Sequence, residues 1–101
     1  MDMEKIRRET LRWQILLTLK NASPIGCFES IILSVVRAEY SDASRNEIRQ
    51  HLEYLKVRSL IKIDKQPDGR WHCELDRFGY DLVDYTVDCE PGIARPEKYD
   101  A

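Results

Sequence analysis

A mixed α+β domain of three helices, a β-hairpin and a closing helix is predicted by three observations on this sequence. Apolar residues recur at helical spacing as far as Leu60, strict alternation takes over from Leu60 to Leu75, and a Pro67-Asp68-Gly69 turn separates the two alternating runs. The 101 residues are 43% apolar and 34% charged, which leaves room for one core and no second one.

The first helix is predicted over residues 3–20, where Ile6, Leu11, Trp13, Ile15, Leu16, Leu17 and Leu19 form a wide apolar arc with Arg7, Arg8 and Arg12 between them. Those three arginines are expected at the surface. Pro24 ends the helix, because the residue before a proline is pushed out of helical geometry, and Pro24-Ile25-Gly26 is an extended connector. A second helix, residues 28–39, places Phe28, Ile32, Val35, Val36 and Tyr40 on one side with Ile31 and Leu33 widening the stripe, and reads as the most buried element. Glu29 sits in its first turn, where the helix dipole favours an acid. Ser44-Arg45-Asn46-Glu47 has the form of a capping box and starts a third helix that runs from Arg45 to about Ser59, with Ile48, Leu52 and Leu55 inward.

Two strands follow, residues 60–65 and 70–75, with Ile61, Ile63, Trp71, Cys73 and Leu75 on the apolar side. Asp76 caps a fourth helix over residues 77–87, whose inward residues are Phe78, Leu82 and Tyr85. Residues 1–88 therefore form the domain, and residues 89–101 form a tail with two prolines and no apolar period. The two tryptophans, Trp13 and Trp71, are expected in the core.

Three cysteines at wide spacing fit a reducing cytoplasm better than a disulfide framework. No C-x-x-C or H-x-x-x-H pair, Gly-rich phosphate loop or nucleophile elbow occurs, so neither a metal, a cofactor nor an enzymatic activity is expected. The apolar runs are too short to span a bilayer and the N-terminus lacks a signal-type stretch, which predicts a soluble, cytoplasmic protein.

Three helices, a hairpin and a closing helix, with a tight turn between the second and third helices, make the layout of a winged helix-turn-helix domain. In that arrangement the outer face of the third helix enters a DNA major groove while the hairpin tip lies along the backbone. Stepping about 100° per residue from an inward Ile48 puts Asn46, Gln50, Glu53 and Val57 outward, flanked by Arg45, Arg49 and Lys56. Arginine pairs bidentately with guanine, and Asn or Gln with adenine, so Arg45, Asn46, Arg49 and Gln50 are the expected base readers. Lys56, on the flank of the helix, is a further expected DNA contact, and Lys62, Lys65 and Arg70, on or beside the hairpin tip, are the expected phosphate contacts. The alternative for the same positions is a solvated or protein-binding face, which Glu53 and Val57 favour.

The charge is polarised. Residues 1–42, 43–72 and 73–101 carry net charges of 0, +3 and −5, so the third helix and hairpin form the only net-basic third. A sequence pI near 5.7 lies well below that of a strong non-specific DNA binder, so the expectation is modest binding, a homodimer, or no binding to DNA at all.

At Ile6-Arg7-Arg8, Leu11-Arg12-Trp13-Gln14-Ile15-Leu16-Leu17, Pro24-Ile25-Gly26, Pro67-Asp68-Gly69, Tyr85-Thr86-Val87 and, most specifically, the run Asp88-Cys89-Glu90-Pro91-Gly92-Ile93-Ala94-Arg95-Pro96, the chain resembles a family of small proteins encoded by Mu-like transposable bacteriophages and prophages. The resemblance covers nearly the whole chain. It implies a winged-helix fold and a phage origin, and carries no assigned activity. Because such genes lie among packaging and morphogenesis functions, it also implies a second possibility, an accessory protein of phage DNA packaging or assembly. The stiff tail is longer than a helix stop needs, so it either packs back on the domain or docks a partner through Ile93, Pro96 and Tyr99.

Overall fold

In the computed structural model, which describes residues 1–98, the chain forms helix α1 (Met3–Ala22), strand β1 (Cys27–Phe28), helix α2 (Glu29–Arg37), helix α3 (Arg45–Val57), strands β2 (Ile61–Lys65) and β3 (Trp71–Leu75), and helix α4 (Arg77–Val83). The architecture is α+β, with four helices and a three-stranded antiparallel sheet in the order β1-β3-β2.

The helix starts follow the side chains that cap them. Asp2 accepts from the Lys5 amide, Ser44 from the Glu47 amide, and Asp76 from the Arg77 amide. Only half of the expected capping box closes at α3, because the Glu47 carboxylate is taken by Arg7, whose Nε and Nη2 both donate to it at 2.9 Å. The core is built from Leu11, Ile15, Leu16 and Leu19 of α1, Ile32 and Val36 of α2, and Ile48, Leu52 and Leu55 of α3. Ile61, Cys73 and Leu75 of the sheet cover it, and α4 adds Leu82 and Val83.

Four expectations need correction. The two-stranded hairpin forms as expected, but it is not the whole sheet: β1 adds a third strand, with Cys27 opposite Cys73 and Phe28 opposite His72. The second helix is not the most buried element, since only Glu29, Ile32 and Val36 are buried on it while Ile31 and Val35 stand about half exposed. The fourth helix stops at Val83 rather than Val87, because Tyr85 turns into the left-handed region at φ 61°. Phe78 faces solvent. Its neighbour Gly79 takes the inward position, where a Cβ would lie 2.0 Å from the Leu60 carbonyl oxygen, so only glycine lets α4 approach β2 this closely.

The tail packs back. Ile93 is buried in the core, the Ala94 amide donates to the Glu9 carbonyl at 3.1 Å, and Arg12 Nη1 donates to the Gly92 carbonyl at 2.9 Å. Arg58 Nη1 donates to the Pro91 carbonyl, and Arg95 Nη1 to those of Leu82 and Val87. Gly92 lies against the Tyr54 hydroxyl, which would stand 2.2 Å from a Cβ there. Among the described residues no helix is long and apolar enough to cross a membrane.

Candidate nucleic-acid interface

The side chains singled out on α3 divide into free and engaged groups. Arg45, Asn46, Gln50 and Lys56 are exposed, and none of them has a side-chain hydrogen bond or ion pair among the described residues. Lys62 is likewise exposed, on the outer side of β2 opposite Glu74.

Arg49 is different. Its Nε donates to Glu29 Oε2 at 2.7 Å, its Nη2 donates to Glu29 Oε1 and, at 2.6 Å, to the Gly69 carbonyl in the hairpin turn. Its guanidinium also lies 4.4 Å from the centre of the Trp71 ring. The Glu29 side chain is only 7% exposed, so this bidentate pair is shielded and strong, and it raises the Arg49 pKa. The guanidinium expected to read a base instead ties α2, α3 and the hairpin turn into one piece.

The hairpin cations are engaged more loosely. Lys65 Nζ is 2.8 Å from Glu53 Oε1 and 4.5 Å from the centre of the Trp71 ring, and it holds the Glu53 carboxyl below its ordinary range. Arg70 sits 4.3 Å over the Phe28 ring and pairs with Asp68 at 2.7 Å, with both side chains more than half exposed. Pairs this wet are worth little and exchange readily for another anion.

Trp71 is thus half-buried under two cations rather than a core residue, while Trp13 is buried with its ring edge-on to Tyr85. Of the three α1 arginines, only Arg8 stands free at the surface, beside Gln50 in an open depression that Arg7 and His51 also line. Arg7 is clamped by Glu47 and Asp42, and Arg12 is half-buried with its guanidinium 3.5 Å from the Tyr54 ring centre. The contribution of Arg8 to this face left no trace in the spacing of the sequence, because it depends on how α1 crosses α3.

His51 is buried behind the same face. Burial, with Arg12 beside it, pushes its pKa down to about 4. Cys27 and Cys73 face each other across β1 and β3 as free thiols, and burial raises both, Cys73 to about 12, which leaves them poor nucleophiles. Of the residues expected to dock a partner, Ile93 is inside the core, Pro96 is exposed with its carbonyl accepting from the Tyr85 hydroxyl at 2.8 Å, and Tyr99 lies outside the described residues.

Chemically, the face offers two guanidinium groups, Arg45 and Arg8, two amide side chains and two ammonium groups with no partner among the described residues, together with three cations held on carboxylates. Comparisons with protein-family models, curated proteins and solved structures find no match to the chain.

Proposed function

We propose that the chain is a winged-helix DNA-binding protein of a Mu-like phage or prophage, a regulator or DNA-binding accessory that acts by binding alone. The fold side of this reading is supported by the element order and by the sheet order β1-β3-β2, in which the hairpin flanks α3. The observation that carries the functional side is the exposed N-terminal half of α3. Arg45, Asn46 and Gln50 project there, and the hairpin turn is fixed beside them through the Arg49 contact to Gly69. A cytoplasmic homodimer on double-stranded DNA belongs to the same proposal, with the dimer read by light scattering after gel filtration.

The test is a fluorescence-polarisation titration with random and phage-derived duplexes at two salt concentrations. Affinity is expected to fall steeply with salt, and Arg45→Ala to weaken binding by about 1–3 kcal/mol. Salt-insensitive binding, or an Arg45→Ala variant that binds as the parent does, overturns the reading.

A second reading, a protein-interaction module in phage packaging or morphogenesis, is favoured by one observation. Leu17, Ile31 and Val35 stand exposed along an open groove between α1 and α2 whose other lining residues are uncharged apart from Glu39. Under that reading capture of a phage head or packaging protein survives Arg45→Ala and is abolished by Val35→Asp.

A further inference from the structure

A cleft of about 140 Å³ opens where the start of α2, the first turns of α3 and the hairpin meet, lined by Phe28, Glu29, Ser30, Leu33, Arg45, Ile48 and Arg70. Phe28, Leu33 and Ile48 make its walls apolar. An apolar cavity of about 150 Å³ accepts a benzene ring, so this one is sized for a single six-membered ring.

The charges around it balance with one left over. Glu29 is neutralised by Arg49, and Arg70 is paired with Asp68 in a solvent-exposed contact, which leaves the guanidinium of Arg45 unmatched among the described residues. Arg70 lies over the Phe28 ring at the cleft, and Ser30 adds a hydroxyl. Guanidinium groups bind carboxylates bidentately, and the Arg70 pair with Asp68 is weak enough to exchange.

We propose that this cleft is a binding site for a one-ring aromatic monocarboxylate, the ring between Phe28, Leu33 and Ile48 and the carboxylate on Arg45 with Arg70. Arg45 is assigned to DNA in the function proposed above, and Arg70 is one of the cations expected on the DNA backbone. On that reading, and only on it, such a ligand also displaces duplex and acts as an effector.

The site itself is tested without DNA, by titrating the full chain with sodium benzoate at constant ionic strength and following its amide ¹H–¹⁵N spectrum. The expected result is saturable shifts at residues 28–33, 45–48 and 70, complete below about 10 mM for a ligand this small. Benzamide, which lacks the charge, and acetate, which lacks the ring, are each expected to bind at least tenfold more weakly. Arg45→Gln removes a side chain that bonds to nothing else among the described residues, so its spectrum stays dispersed while benzoate affinity falls at least tenfold. Shifts that do not saturate, that map to another surface, or that persist at equal affinity with benzamide or in Arg45→Gln overturn the site.

A polarisation competition then separates the two proposals. If benzoate saturates the cleft and the chain binds no duplex, the DNA reading fails and the site stands. If duplex binds and benzoate does not, the reverse holds.

Discussion

Arginines close both sides of this molecule, and they do so by different chemistry. On the tail side, Arg12, Arg58 and Arg95 spend their donors on backbone carbonyls of residues 82–92, and Arg12 and Arg95 lie against the rings of Tyr54 and Tyr85. On the hairpin side, Arg49 spends its donors mainly on one shielded carboxylate, Glu29, with a single carbonyl bond to the turn. The tail contacts bring in one acid, the exposed Glu90 at 3.6 Å from Arg58, and fasten a segment that adds Ile93 to the core. The hairpin contact is an ion pair that fixes the shape of a surface. Removing a part should therefore cost global stability on the first side, and on the second a mixture of stability and surface geometry.

The sharpest way to break this contrast is Ile93→Ala. If the tail is part of the core, urea unfolding shows a loss of about 3–4 kcal/mol. A loss below about 1 kcal/mol would make the tail an appendage and erase the difference between the sides. Next is Arg49→Ala, expected to cost about 2–3 kcal/mol because it strands the Glu29 carboxylate in the interior. Adding Glu29→Gln should recover part of that loss, a non-additivity that a purely packing role would not produce.

A third effect lies between the two sides, at His51. Its folded pKa of about 4 is below the unfolded value of about 6.5, so the unfolded chain binds more protons in that window. Its contribution is complete above pH 6.5 and is lost as the pH falls toward 4. About 2 kcal/mol should disappear between pH 7 and pH 5, and His51→Gln should flatten that slope in denaturation curves taken at the two pH values. The smallest effect is expected from Lys65→Ala, which opens the exposed pair with Glu53 at a cost below about 1 kcal/mol that shrinks further in 1 M salt.

Sequence periodicity was a good guide wherever one face of an element does one job. The Ser44 cap, the inward Ile48, Leu52 and Leu55, and the alternation of Ile61, Ile63, Cys73 and Leu75 are local patterns, and each appears in the structure. What stayed hidden depends on partners far along the chain. Strand β1 has two residues and exists only because β3 offers it an edge, so no alternation could announce it. The spacing of α4 points Phe78 inward, but Gly79, set against the Leu60 carbonyl, is the residue that faces the core, a choice made by a segment well upstream of the helix. Glu29 looked like a helix-start acid, and its more important partner, Arg49, is twenty residues away. The exposed members of the α3 face, Arg45, Asn46 and Gln50, were legible from the helical wheel alone, whereas the engagement of Arg49, Lys65 and Arg70 was not.

The bond from Arg12 to Gly92 joins positions 80 residues apart. During translation at about 5–20 residues per second, roughly 4–16 s separate the emergence of that arginine from the arrival of the carbonyl it binds. For that interval the first helix lacks the cover that Ile93 and the tail's bonds to Glu9 and Arg12 give it in the finished fold.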